Sequence, residues 1–478
     1  MSQPPANRLA QNALTLPELV FTVLATLAPL TLVAAVAPLH FLKGGAAVPG
    51  GYLVAAAVMA LFAVGFCTMT RYVRSTGAFY AIITRGLGPV TGAAAAGLAV
   101  VAYNALQVST YGAIGYYAGS TAQRFFGITL PWWVYAGVAL VVVGFLGFRG
   151  IAASAKVLAV VLVAEIAVLV VMTVAVFISG GPEGFSAEPF EPANVLSPQN
   201  SAMFALIFGA FMGFECTAIY SEEVKGGAAT VRRATYIAVG FIGVFYAIVT
   251  YAIVTAYGAG AIGAAAEADP AGLVLVVIGD YTAPWLLDVT EVLLLLSAFA
   301  ALLALHNASN RYGYALGREG LLPRIFGRTD SRTHAPYVAG AAQSALAVVV
   351  IVLFAVFGLD PYLGLLLWGS ALGFLGIIIL WALCSLAVMR FLRRNAPDAG
   401  LWRTTVAPLL SFVALGVVVV LVFQNFEFLT AGGPVVNTIL IVLAVGALLA
   451  GAVRAAYLRS REPEVYRELG SIDAGVTG

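Results

Sequence analysis

LPELVFTVLATLAPLTLVAAVAPL, residues 16–39, decides the fold. Apart from Glu18 at its start it carries no charge. A helix crossing the ~30 Å hydrocarbon core of a membrane needs roughly 20 apolar residues, and this stretch supplies them. Pro29 lies near its middle, beside Thr26 and Thr31. A proline removes one helical hydrogen bond and clashes with the preceding turn, so regular helix is expected to fail there.

Runs of the same kind recur as far as Tyr457. The chain of 478 residues is 62% hydrophobic and 10% charged, where a soluble globular protein has about 25% charged residues. Its mean hydropathy is +0.99. No interior stretch is polar enough for a separate aqueous domain. Twelve spans are predicted: 17–39, 49–70, 88–118, 131–148, 154–178, 199–220, 233–257, 284–309, 337–357, 361–389, 404–423 and 433–455. The first twelve residues, MSQPPANRLAQN, lack the apolar core and cleavage site of a signal peptide, so the first span is expected to stay in the mature protein.

Charge placement orients the spans. With the N-terminus in the cytoplasm, only Lys43 and Arg124 of the 24 Lys and Arg residues fall outside. The outer loops are acidic, with Glu183, Glu188, Glu191, Glu267, Asp269 and Asp280. This asymmetry is what the positive-inside rule requires of an even span count with both termini cytoplasmic. Cys67, Cys216 and Cys384 form no close pair or zinc spacing and are expected to be free and buried.

A second stretch matches the first in kind. SAMFALIFGAFMGFECTAIYSEEV, residues 201–224, has Gly209 and Gly213 four apart. Close helix packing would account for either stretch alone. The two occupy the first and sixth spans, the corresponding positions of two five-helix halves. Interrupted segments at matching positions point to a transporter's central site. Unwound backbone is tolerated at membrane depth only where protein or a wet cavity covers it.

Several polar residues fall at depth. Glu165 lies nine residues beyond Lys156, roughly 13 Å into the bilayer. A carboxylate there must be paired, hydrated or protonated. Proton or cation coupling and a purely structural role are both open. Glu215 follows the sixth-span glycines and reads equally as a gate or as a cap for freed amides. Asn104 and Gln107 share a face of the third helix, lining a polar site or holding helices together. His306 and Asn307 carry the same ambiguity. Phe208, Phe211 and Phe214 read as a gate or as packing. The sequence holds no phosphate loop, HExxH or CxxC motif, and no supported catalytic triad. No enzyme activity, cofactor or metal site is expected. The basic clusters fit membrane orientation rather than nucleic acid.

Three segments carry a family resemblance: FGAFMGFECTAIYSEEVKG at 208–226, STGAFYAIITRGLGP at 75–89 and NASNRYGYALGREGLLPRIFG at 307–327. In order and spacing the chain resembles the amino acid–polyamine–organocation permeases. The resemblance implies an all-α membrane protein with two inverted five-helix repeats plus two further helices. Residues 17–178 would form the first half and 199–389 the second, joined by an outer loop at 179–198. Residues 390–455 would hold the last two helices, and 1–16 and 456–478 the cytoplasmic tails.

The resemblance also implies a substrate site between the unwound parts of spans one and six. Span-one amides would receive a carboxylate and span-six carbonyls an amino group. Thr26, Ala28, Leu30 and Thr31 match the first set, and Phe208, Gly209, Phe211 and Gly213 the second; Asn104 and Gln107 are added from the third helix. Two departures stand out. ATLAPLT replaces the glycine–serine–glycine-like turn of many relatives, which makes an amine substrate more plausible. Glu165 stands where proton-using relatives often carry a lysine. Glu215 matches a glutamate implicated in proton coupling. The expected function is secondary transport of an amino acid or small organic amine across the plasma membrane, coupled to protons or to a counter-substrate. The alternative is a sensor or receptor with a transporter fold. Membrane lipids are expected partners, and monomer and homodimer both stay open.

Overall fold

Thr15 starts the first helix with a capping box. Its backbone N–H donates to Glu18 Oε2 at 2.8 Å and its hydroxyl at 2.7 Å. The helix, α1 (Leu16–Thr26), then stops short of the proline. Ala28 adopts a left-handed conformation, φ 44° and ψ 69°; the Pro29 ring disfavours the right-handed helical region for the residue before it. Pro29 opens α2 (Pro29–Thr31), where its missing N–H costs nothing. The break therefore lies at Leu27 and Ala28, and helix has resumed by Pro29, slightly earlier than the failure at Pro29 expected from sequence. A π turn, Leu32–Val36, leads into α3 (Ala37–Gly44). Gly45, at φ 49°, begins the turn into α4 (Val48–Met69).

The computed structural model describes residues 8–73, 75–149 and 151–470. Arg74, assigned to the cytoplasmic side above, and the extremities of both tails lie outside these. The chain continues through α5 (Ala78–Leu87), α6 (Pro89–Phe126), α7 (Trp132–Phe148), α8 (Ile151–Ser179) and the short α9 (Pro192–Val195). The second broken segment comprises α10 (Ser201–Ile207), a 3-10 turn at Phe208–Phe211, and α11 (Cys216–Ile219). Then follow α12 (Gly227–Tyr257), α13 (Ile262–Ala268), α14 (Leu273–Tyr281), α15 (Pro284–Arg318), α16 (Tyr337–Val356) and α17 (Leu367–Asn395). The last helices are α18 (Ala407–Gln424), α19 (Phe426–Thr430), α20 (Pro434–Arg461) and α21 (Pro463–Glu468).

Among the described residues, ten helical runs are long and apolar enough to cross a membrane, or up to 11 if the bent pair α13–α14 is one span. The pair turns by 113° in what reads from sequence as a plain outer loop. The protein is thus an all-α, multi-span bundle. Its large apolar side chains point outward as well as inward: Val138, Val141, Val160 and Val356 are all more than half exposed. A soluble protein rarely shows so much contiguous apolar surface, and lipid covers it here. Inside, close approach is bought with small residues. On α17, Gly369, Gly373 and Gly376 face α6, and a Cβ on Gly373 would lie 2.3 Å from Leu106. The three cysteines are free and buried.

Candidate functional site

The two breaks meet. After the 3-10 turn, Met212 is extended and Gly213 takes φ 113°. A Cβ on Gly213 would lie 3.0 Å from Thr26 Cγ2 and 3.5 Å from Leu27 Cδ2. Glycine is required there both by the left-handed backbone and by the contact. Thr26 itself returns its hydroxyl to Thr22 O at 3.1 Å.

Glu165, on α8, is buried and faces the protein rather than lipid. Its Oε2 accepts the Leu30 N–H at 3.1 Å, so it sits on the amide end of the resumed helix. The next amide, Thr31 N–H, donates to Ser297 Oγ of α15 at 3.4 Å. Glu215 does the same work in the other segment. Its Oε2 accepts Gly213 N–H at 2.9 Å, and its Oε1 accepts the Tyr103 hydroxyl at 3.2 Å. Phe214 locks the neighbouring turn by packing among Phe62, Phe66 and Trp381. Phe208 and Phe211 are also buried, while Gly209 and Thr31 keep partial exposure.

Above the breaks opens a cavity of about 1040 Å³. Ala34, Ala35 and Leu206 reach it from the broken segments, and Tyr117, Glu291 and Tyr362 stand on other walls. Ala34 and Ala35 are one helical turn beyond Leu30 and Thr31. The opposite end of the bundle is closed. Arg311 makes a bidentate ion pair with Glu223, both nearly fully buried, with Nη2 to Oε1 at 3.0 Å. Arg318 pairs with Glu222 at 2.7 Å. Glu291 and Arg311 are twenty residues apart on α15, or about 30 Å along its axis. The N-terminal segment is clamped to the same end through Leu14, whose N–H donates to Glu223 O at 3.1 Å and whose O accepts Lys225 N–H at 2.8 Å.

The third-helix pair divides. Gln107 is fully buried, and its Nε2 donates to the Tyr111 hydroxyl at 3.2 Å. Asn104 bonds Val100 O at 2.8 Å and lines a separate cavity of about 180 Å³ with Tyr312 and Gln343. His306 is buried against Gly147, where a Cβ would lie 2.7 Å from its ring.

The amino acid permease profile covers residues 15–450. The chain belongs to the amino acid permease family. This places the permease in the amino acid–polyamine–organocation superfamily. It is also similar to uncharacterized transporters of Mycobacterium bovis and Mycobacterium tuberculosis, with 29% identity over 215 residues. The match spans 44% of this chain and 46% of each relative, so the chain covers about half the length of those relatives.

Ser297, Tyr103 and the Arg311–Glu223 pair were not anticipated from sequence. The pair did leave a signal. SEEV closes the broken sixth segment, and Arg311 and Arg318 are seven apart on one face of α15.

Proposed function

We propose that this permease moves an amino acid or small organic amine across the plasma membrane by alternating access. The observation that supports it most is the contact between the two breaks beneath a wide cavity, with ion pairs closing the other end. Such an arrangement gives a solute entry from one side only, and exchanging which end is closed would release it on the other.

The bundle is read as twelve crossings with both termini cytoplasmic. The run Leu16–Met69 is 54 residues long, or about 80 Å as continuous helix, more than two membrane thicknesses. It counts as two crossings folded at Gly45. Trp132–Phe148 is a third-turn-short but wholly apolar helix of 17 residues, and it completes the set with the other nine runs. On this reading α1–α8 form one inverted half (17–178), residues 179–198 an outer loop, α10–α17 the second half (199–389), and α18 and α20 the added pair (390–455). Residues 1–16 and 456–478 are the tails. The substrate site comprises Thr26, Ala28, Leu30, Thr31, Phe208, Gly209, Phe211 and Gly213, with Gln107 at its edge. Asn104 belongs to the neighbouring cavity. Glu165 and Glu215 are the candidates for coupling to a proton or counter-substrate, since each holds an amide of a broken helix.

Purified permease in sealed vesicles, tested against a panel of amino acids and amines, should show saturable flux that responds to a pH gradient or to internal substrate. Binding without any flux from correctly inserted protein would favour a sensor instead.

A further inference from the structure

We propose that this permease takes its solute as an organic cation without a carboxylate, because Glu165 and Glu215 already occupy backbone amides freed at the two breaks, Leu30 N–H and Gly213 N–H. The inference rests on the transport reading above and narrows it.

The argument turns on which half of each break remains on offer. A helix ends with unsatisfied N–H groups at its start and unsatisfied C=O groups at its finish, carrying partial positive and negative charge respectively. In the first segment α1 finishes at Thr26 and helix restarts at Pro29. The donors of the restart are consumed: Leu30 N–H by Glu165 and Thr31 N–H by Ser297. In the second, helix and 3-10 turn finish at Phe211, and Gly213 N–H beyond them is consumed by Glu215. A substrate carboxylate would have to displace a protein carboxylate to reach either amide, and would lie beside that carboxylate once there. Like charges so placed disfavour binding.

What is left facing inward is acceptor in character. The finishing ends of α1 and of the Phe208–Phe211 turn are the negative ends of their helices. Gln107 Oε1 and Thr31 Oγ1 are enclosed without a partner, the first an acceptor and the second able to donate or accept. The cavity above continues the theme. Its charged lining residues are Asp269, Glu427 and Glu291, the last paired with Arg124, and no Lys or Arg lines it. The nearby cations are engaged: Lys43 lies over the Phe428 ring at 4.3 Å, and Arg124 pairs with Glu291 and Asp288. Tyr116, Tyr117 and Tyr362 add ring faces that attract a cation. An ammonium therefore meets acidic residues and ring faces in the cavity and acceptor ends at the breaks, whereas a substrate carboxylate finds the freed amides already bonded.

The test uses matched pairs that differ only in the carboxylate: phenethylamine against phenylalanine, isobutylamine against valine, and putrescine against ornithine. Flux and competition are measured on the full-length permease in sealed vesicles. The amine of at least one pair should bind more tightly than its amino acid by roughly 10- to 100-fold, the worth of a charge-assisted hydrogen bond. Glu165→Ala frees Leu30 N–H and should shift that ratio toward the amino acid by about tenfold or more. If that variant does not insert, Ser297→Ala frees Thr31 N–H and should shift the ratio in the same direction. Amino acids preferred by the wild-type permease would overturn the inference and leave the transport reading standing. An unshifted ratio in a folded variant would overturn the role given to these residues. No flux of either class would instead count against transport itself.

Discussion

Replacing Arg311 with alanine should open the closed end of the permease. The guanidinium and the Glu223 carboxylate are 3% and 1% exposed, and their pairing joins α15 to the end of the broken sixth segment. Arg311 also donates to Asn307 O at 3.0 Å. Removing one member of such a pair strands the other charge in the protein, at about 3–5 kcal/mol. Every 1.4 kcal/mol is a factor of ten, so the closed arrangement should lose roughly 10²- to 4 × 10³-fold in population against any arrangement that lets water reach Glu223. Cys216 provides a reporter, since it is fully buried in α11, seven residues before Glu223. In a background with Cys67 and Cys384 replaced by serine, maleimide labelling of Cys216 from the Arg311 side should speed up by at least about tenfold. The double variant Arg311→Met with Glu223→Leu removes the stranded charge and should label close to the wild-type rate, because well-packed apolar replacements of buried pairs are often neutral. Wild-type labelling of a folded Arg311→Ala permease would refute the claim that this pair holds the end shut.

Three further outcomes follow from particular contacts. Gly213→Ala forces a side chain into φ 113° and against Thr26 at 3.0 Å, a strain of about 1–3 kcal/mol; substrate affinity should fall more than melting temperature, measured on the same preparation. Glu215→Ala leaves Gly213 N–H and the Tyr103 hydroxyl without their acceptor, so thermal melts in detergent should show a loss of about 1–3 kcal/mol, with Glu215→Gln losing less. Outside the membrane-spanning segments, burial pushes the Glu319 carboxyl up to about 7, against the pull of its bonds from the Tyr80 hydroxyl and Gly470 N–H. Between its ordinary 4.5 and about 7 the folded protein keeps a proton that the unfolded chain has released, so this group's contribution to stability falls as pH rises through that window. Glu319→Gln should flatten the dependence of melting temperature on pH over that range.

The two breaks and the burial of Glu165 were legible before the fold. Pro29 marked the first break because a proline's consequences are local: it lacks an N–H and restricts the residue before it. Gly209 and Gly213 marked the second break less sharply, since glycines also serve close packing. The structure shows Gly213 serving both ends, a left-handed backbone and a contact with Thr26. Glu165 was legible as buried and inward because hydrocarbon tolerates no lone carboxylate. Its partner was not, since Leu30 N–H is 135 residues away and becomes a donor only after helix one has broken. The division of Asn104 from Gln107 was equally hidden. Three residues share a helix face loosely, and which neighbour each meets depends on α15 and α16.

The sequence by itself determined the membrane character, the sites of the breaks and the acidic or apolar nature of what surrounds them. These follow from composition, periodicity and the backbone chemistry of proline and glycine, all of which act within a few residues. Only the tertiary structure decided which groups satisfy the freed amides, which end of the bundle is open, and that Arg311 and Glu223 close the other. Those are pairings between segments far apart in the chain. A hydrogen bond or ion pair acts over a few ångströms, so its existence is settled by helix packing and not by any local pattern.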